Sequence, residues 1–102
     1  MELSEILPDL GPAISYFPGV KKLTKSTGAA ILYGWLLDKS SSDFREWLPA
    51  SSDAITSETS LTYTEQVTAR KALVQCGLVE ERYARLEHQM LFRIKEFANE
   101  GI

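Results

Sequence analysis

The sequence predicts an α+β domain that is mainly helical, with three helices and a β-hairpin. A capping box at Thr62 and Glu65 begins one helix, and Gly77 is the residue type that closes it. An almost wholly apolar helix is expected upstream, at 27–39, and a helix of that kind is buried. After Gly77, stretches of alternating polar and apolar residues within 78–95 indicate two strands joined by a turn.

The chain is long enough for one hydrophobic core but not for two. It has 102 residues, of which 44% are hydrophobic. We expect residues 18–95 to form the domain, residues 1–17 an N-terminal arm and residues 96–102 a short C-terminal tail. No apolar run approaches the roughly 20 residues that span a bilayer, and the acidic N-terminus lacks a signal-peptide pattern. The single cysteine, Cys76, suits a reducing compartment and is expected to pack in the core. These features predict a cytoplasmic protein.

The segments before the capping box are predicted in outline. Residues 13–17 are expected to be extended, and Pro18–Gly19 to form a turn. The central core helix is expected from Ser26 or Thr27 to Lys39, with its aromatic residues used for packing. Pro49 confines any strand within 44–50 to the edge of a sheet.

Two helices joined by a brief turn surround Ser60–Leu61. The first covers 53–59 with Ser51 or Ser52 as its N-cap, and the second runs from the capping box to Cys76. Steps of about 100° per residue divide the second helix into two faces. The predicted core face carries Glu65, Ala69, Ala72, Leu73 and Cys76. The opposite face carries Tyr63, Thr64, Val67, Arg70, Lys71 and Val74. A short helix, a tight joint and a longer helix form a helix-turn-helix signature.

Charge is distributed unevenly along the chain. The net charge is −3, but Thr62 to Lys95 contains six basic and four acidic side chains, a net charge of +2, so the remainder carries −5. The excess of positive charge coincides with the second helix and the hairpin. Because phosphate contacts dominate affinity for DNA, a monomer with so small an excess is expected to bind DNA weakly.

No pattern of catalytic residues is present in the sequence. The single histidine, His88, has no cysteine or carboxylate at metal-ligand spacing, and no glycine-rich phosphate loop occurs. Glu80 and Glu81 are adjacent on a predicted strand and therefore point to opposite faces, which is wrong for an acid–base pair. We expect no enzymatic activity, no cofactor and no metal.

Two stretches carry a resemblance to a known superfamily. They are LTYTEQVTARKALVQCGLVEERY at 61–83 and KLTKSTGAAILYGWLLD at 22–38. Together they resemble the winged helix-turn-helix superfamily, in particular the winged-helix domains of phage and plasmid replication proteins such as replisome organisers and DnaD-like helicase loaders. The likeness covers roughly residues 16–95. It implies a three-helix core with a β-hairpin wing, and double-stranded DNA as the partner in replication initiation or transcription regulation.

The resemblance also implies which residues lie near DNA, because the second helix of such domains enters the major groove. These residues are Tyr63, Thr64, Gln66, Val67, Arg70, Lys71, Arg82, Arg85 and His88. Arg70 would contact guanine and Gln66 adenine, whereas the hairpin residues would meet phosphates or the adjacent minor groove. Lys21, Lys22 and Lys25 would add backbone contacts. A homodimer formed through residues 1–17 or the chain after Ile94 would double the basic surface.

The sequence alone leaves alternative roles open for several of these residues. Arg70 is equally suited to pairing with an acid such as Glu58, and Gln66 to a structural hydrogen bond. Tyr63, Val67 and Val74 also form an apolar stripe of the kind that binds proteins. The alternative function is therefore a protein-interaction module, an adaptor or an inhibitor that mimics or blocks a nucleic-acid surface.

Overall fold

The computed structural model describes residues 13–41, 46–85 and 89–95. These ranges contain four helices and three strands. In chain order they are α1 (Pro18–Thr24), α2 (Thr27–Ser41), β1 (Leu48–Ala50), α3 (Ser52–Thr59), α4 (Tyr63–Gln75), β2 (Val79–Ala84) and β3 (Gln89–Ile94). The predicted α+β, mainly helical class is confirmed. No helix in the described part of the chain is long and apolar enough to cross a membrane.

The predicted turn at Pro18–Gly19 is wrong, because Pro18 is the first residue of α1. Proline suits that position, since the first N–H of a helix has no partner within the helix and the proline ring already sets a helical φ. The helix ends at Lys25, which adopts the left-handed conformation (φ 59°) and donates its N–H to the carbonyl of Lys21. Lys21 and Lys22 therefore lie on a helix that precedes α2.

Helix α2 is the central helix, as predicted. Leu32 and Leu36 are fully buried, and Trp35 is nearly so. The segment before α1 crosses α2 at Gly34, where an added Cβ would lie 1.7 Å from the carbonyl oxygen of Ser15. Ser15 also donates from its N–H and its hydroxyl to the carboxylate of Asp38, at 3.0 and 2.8 Å. Gly34 is thus needed for the close approach of this segment, which forms no strand.

Helices α3 and α4 form a continuous capped unit. Ser51 caps α3 by accepting a hydrogen bond from the Ala54 N–H at 3.0 Å. Ser60 closes α3 in the left-handed conformation, so the joint at Ser60–Leu61 lies where it was predicted. At the end of α4, Gly77 has φ 76°, and the Leu78 N–H donates to the carbonyl of Leu73 at 3.0 Å. That bond and the left-handed glycine form a Schellman motif, which stops the helix and directs the chain into β2.

The three strands form one antiparallel sheet in the order β1–β3–β2. Phe92 is central, because it pairs with Leu48 of β1 on one side and Glu81 of β2 on the other. Directly paired residues share a face, so Phe92 and its alternate neighbours Met90 and Ile94 face the helices, as predicted. β1 lies at an edge, where its Pro49 costs no central hydrogen bond. The predicted two-stranded hairpin is therefore part of a three-stranded sheet.

Candidate functional site

The exposed side of α4 presents a row of side chains to solvent. Tyr63 begins the helix and is 67% exposed, and Val74 near its end is 41% exposed. The row, called the α4 surface below, consists of Tyr63, Thr64, Val67, Lys71 and Val74. Of these only Val67 is partly covered. The sequence assigned all five residues to the outward face, and that assignment is confirmed.

Glu65 was predicted on the core face of α4, and this is wrong, because its side chain is exposed. Its carboxylate accepts a hydrogen bond from the Thr62 N–H at 2.9 Å, while the Thr62 hydroxyl accepts from the Glu65 N–H at 3.1 Å. The complete capping box thus holds Glu65 back at the start of the helix.

Gln66 is buried in place of Glu65, with 3% of its surface exposed. Its amide nitrogen donates to the hydroxyl of Thr56 at 2.6 Å and to the carbonyl of Leu61 at 3.0 Å. Its amide oxygen accepts from the hydroxyl of Ser52 at 3.0 Å. The side chain therefore joins α3, the turn and α4. An amide used in this way within the protein is withdrawn from base contact, so Gln66 leaves the set of expected DNA contacts and takes its structural alternative.

Arg70 lies between α4 and the sheet, at the edge of the α4 surface. It lines a cleft of about 280 Å³ whose other walls come from the start of α3, from Tyr63 and from the helix-facing side of the sheet. The described residues of the cleft are Ala50, Ser52, Ile55, Tyr63, Gln66, Arg70, Tyr83, Met90 and Phe92. The Nε atom of Arg70 is buried and has no hydrogen-bond partner in the described part of the chain.

The suggested pairing of Arg70 with Glu58 does not form, because Glu58 has other partners. Its carboxylate accepts from the Lys39 ammonium at 2.9 Å and from the Trp35 indole N–H at 3.1 Å. These bonds, with that from Lys39 the stronger, hold the pKa of Glu58 below its usual value. Glu58 thus fixes α3 against α2.

The face of the sheet opposite the helices carries the arginines of the hairpin. The guanidinium groups of Arg82 and Arg93 lie 4.6 and 4.8 Å from the centre of the Trp47 ring. Arg93 also donates from Nε and Nη2 to Glu80, at 2.8 and 2.5 Å, and from Nη1 to Glu46. These bonds hold the pKa of Arg93 above its usual value. We call this group, Glu46, Trp47, Glu80, Arg82 and Arg93, the outer sheet surface.

The predicted DNA contacts are thus divided between two faces. Arg82 pairs with Leu91, one residue from Phe92, and therefore points away from α4. Arg85 lies exposed in the turn after β2. His88 lies outside the described residues.

The end of α1 contacts the chain just after the end of α4. The sulfur of Cys76 lies 3.8 Å from the carbonyl oxygen of Leu23. Lys22 and Lys25, on either side of Leu23, are exposed, as is Lys21. Cys76 is half-buried and packs against the core, as predicted.

A second groove, of about 290 Å³, lies between α1 and α2. Its lining is apolar and includes Phe17, Leu23 and Leu78. Leu23 is 56% exposed, which no pattern in the sequence indicated.

Comparisons of the chain with protein-family models, with curated proteins and with solved structures find no match. Function is therefore inferred from the geometry of α4, the sheet and the charges around them. Within the described ranges, no three His, Cys, Asp or Glu side chains lie close enough together to hold a metal ion.

Proposed function

We propose that the protein is a winged helix-turn-helix protein that binds double-stranded DNA, with α4 in the major groove and the β2–β3 hairpin as the wing. Its role would be in phage- or plasmid-type replication initiation or in transcription regulation. The observation that carries the proposal is the α4 surface, an exposed row on a capped helix that leads through Gly77 directly into the hairpin. A major groove about 12 Å wide accepts a helix in this way.

The roles of the residues follow from their chemistry. Lys71 is the exposed cation in the middle of the α4 surface and is suited to a phosphate. Thr64 offers a hydroxyl to a base edge or a phosphate, and Val67 offers an apolar contact to a thymine methyl group. Arg85, at the end of β2, would reach the backbone beside the groove.

Assembly on DNA is expected to compensate for the small positive charge. The chain as a whole has a net charge of −3, so a single copy brings few phosphate contacts. Two copies on a two-fold symmetric site would double those contacts and place two α4 helices in successive major grooves. The proposed DNA-binding form is therefore a homodimer or part of a larger assembly.

The test is a titration of a fluorescently labelled, mixed-sequence duplex at about 50 mM and about 200 mM salt, the range over which phosphate-driven binding weakens strongly. We expect micromolar binding at low salt that weakens at high salt. Lys71→Ala should reduce affinity for every duplex by about tenfold, since a hydrogen bond to a charged group contributes about 1.5 kcal/mol.

Arg82→Gln is the matched control, because it removes one positive charge from the outer sheet surface. It should leave affinity within about twofold of the parent, as exposed charges far from an interface are screened. Equal losses in both variants would mean that overall charge, not the α4 surface, controls binding. No binding at low salt would overturn the proposal.

The second candidate is a protein-interaction module on the same surface. Tyr63 and Val74 are large, exposed and on one side of α4, with the partly covered Val67 between them. An acidic adaptor or inhibitor would use this stripe against an apolar partner surface, or its negative charge against another protein's nucleic-acid site.

A double variant, Tyr63→Ser with Val74→Ser, distinguishes this candidate from the DNA-binding proposal. It should abolish partner binding under this candidate, whereas under the DNA proposal Lys71→Ala has the larger effect on duplex affinity.

A further inference from the structure

The cleft between α4 and the sheet combines an apolar floor, a rim of exposed aromatic side chains and one arginine. Packing of the core does not require this combination. Its floor is apolar, formed by Ile55 and Phe92, and its rim holds two tyrosines, Tyr63 from α4 and Tyr83 from β2. Both are more than half exposed, at 67% and 53%. A core edge is usually closed by side chains that exclude water, whereas this cleft stays open between the two elements that the proposed function places on DNA.

Arg70 is the only charged residue among the described residues that line the cleft. Two acids of the adjoining elements are engaged elsewhere. Glu58 binds Lys39 and Trp35, and Glu65 binds the N–H of Thr62. Glu81 shares the helix-facing side of β2 with Tyr83, but it is exposed and does not line the cleft. The positive charge of Arg70 therefore lies beside apolar walls without an acid in the cleft, which strengthens its attraction for an anion.

The buried Nε of Arg70 points to the same conclusion. A donor that has lost water without gaining an acceptor is unfavourable, and native structures nearly always satisfy such groups. No carboxylate or carbonyl of the described residues meets this atom. An anionic oxygen that enters the cleft would draw the guanidinium toward it and restore the missing hydrogen bond.

We propose that the cleft binds a phosphodiester of the DNA backbone, with the phosphate on the guanidinium of Arg70 and the deoxyribose against Tyr63 and Tyr83. This inference rests on the proposed function and changes the role of Arg70 within it. Arg70 lies beside the sheet, off the outermost row of α4, so it positions the duplex and does not read guanine. A phosphodiester fits better than a carboxylate because the apolar rim is matched by a sugar on either side of the charge.

The inference predicts how two arginine variants behave on a panel of duplexes. Arg70→Gln should weaken binding to all duplexes by the same factor, about tenfold, and should lower the slope of log K against log salt by about 0.9, the value for one phosphate. Base preference should not change. Arg70→Lys keeps the charge but cannot form the two-atom contact, so it should keep the salt slope and lose affinity. Thermal unfolding of both variants serves as the check of folding.

A duplex with one neutral methylphosphonate, placed at each backbone position in turn, locates the contact. The parent should lose about tenfold in affinity at each position whose phosphate it contacts, and at one of these per bound copy Arg70→Gln should lose nothing further. A change of base preference in Arg70→Gln would restore the guanine contact and overturn the inference while DNA binding stands. Unchanged DNA affinity in Arg70→Gln would also overturn it and would leave a carboxylate of a protein partner as the occupant. Failure of the parent to bind any duplex would remove the proposed function itself.

Discussion

Gln66 connects the helices that position the α4 surface. One side chain satisfies the hydroxyls of Ser52 and Thr56 and the carbonyl of Leu61, all on α3 or the turn. Because the amide itself is buried, its hydrogen bonds specify the orientation of α4 against α3 more narrowly than apolar packing alone would.

Replacement of Gln66 by leucine is therefore expected to destabilise the fold. Leucine has a similar volume, so the main effect is the loss of the hydrogen bonds that the buried amide makes to Ser52, Thr56 and Leu61, which costs about 1–3 kcal/mol. Urea unfolding followed by tryptophan fluorescence measures this free energy. Gln75→Leu makes the same change at an exposed position of the same helix and should alter stability by less than about 0.5 kcal/mol. A loss no larger for Gln66→Leu than for Gln75→Leu would contradict the role of the network.

Glu65 was predicted on the core face, but Gln66 is buried there instead. This difference shows how far the sequence predicts the burial of single residues in this helix. The 100° steps identified the exposed row and the buried Ala69 and Leu73. They did not locate the edge of the core face, because Glu65 and Gln66 lie at similar angles on either side of its centre and the capping box fixed the choice. Polar residues of α3, Ser52 and Thr56, were the available signal for a buried glutamine, but their contact depends on the angle between two helices, which no local pattern contains.

At the scale of elements, the capped segments were predictable and the tertiary close approaches were not. Both ends of α4 follow from local chemistry, a capping box and a left-handed glycine. The edge strand with Pro49 was likewise predictable from the missing N–H. Helix α1 was missed because proline before glycine indicates a turn as well as a first helical residue. The contact of Ser15 at Gly34 joins segments that are distant in sequence.

The link between α2 and α3 provides a pH-dependent test at this scale. Glu58 has a pKa below its ordinary value of 4.5, first because of the hydrogen bond from Lys39 and second because of that from Trp35. The carboxylate of Glu58 thus binds a proton less tightly in the folded protein than in the unfolded chain. The resulting stabilisation is fully present above the ordinary pKa and is lost as pH falls through the lowered pKa.

We expect Glu58→Gln to be less stable than the parent at neutral pH, and the difference to vanish as the pH falls below 4.5. Urea unfolding at a series of pH values measures both free energies. Glu81→Gln is the matched control, since Glu81 is exposed on β2 and should give a difference near zero throughout. A difference between Glu58→Gln and the parent that grows toward acid pH would show that the carboxylate destabilises the helix pair.

At the scale of the whole molecule, the charged side chains of the two sides of the sheet are arranged differently. The outer sheet surface balances Arg82 and Arg93 against Glu46 and Glu80, so it contributes little net field. On the other side Lys71 and Arg70 of α4 lie on or beside the α4 surface, where Glu65 and Glu81 are the exposed acids. Lys21, Lys22 and Lys25 lie in the segment whose Leu23 carbonyl contacts Cys76 after the end of α4. In the proposed DNA complex Lys71 of α4 and the lysines of the segment around Leu23 would supply the positive charge, because the chain as a whole has a net charge of −3.

The position of these lysines gives the last prediction, which concerns the extent of the proposed DNA interface. A triple variant, Lys21→Gln, Lys22→Gln and Lys25→Gln, should lower the slope of log K against log salt by about 0.9 for each lysine that contacts a phosphate. Affinity at low salt should fall for all duplexes alike, since phosphate contacts carry no base information. All three side chains are exposed, so circular dichroism and thermal unfolding should match the parent. An unchanged slope would confine the interface to α4 and the hairpin. A slope lowered in the triple variant but not in Arg82→Gln would extend the interface along α4 to α1 and away from the outer sheet surface.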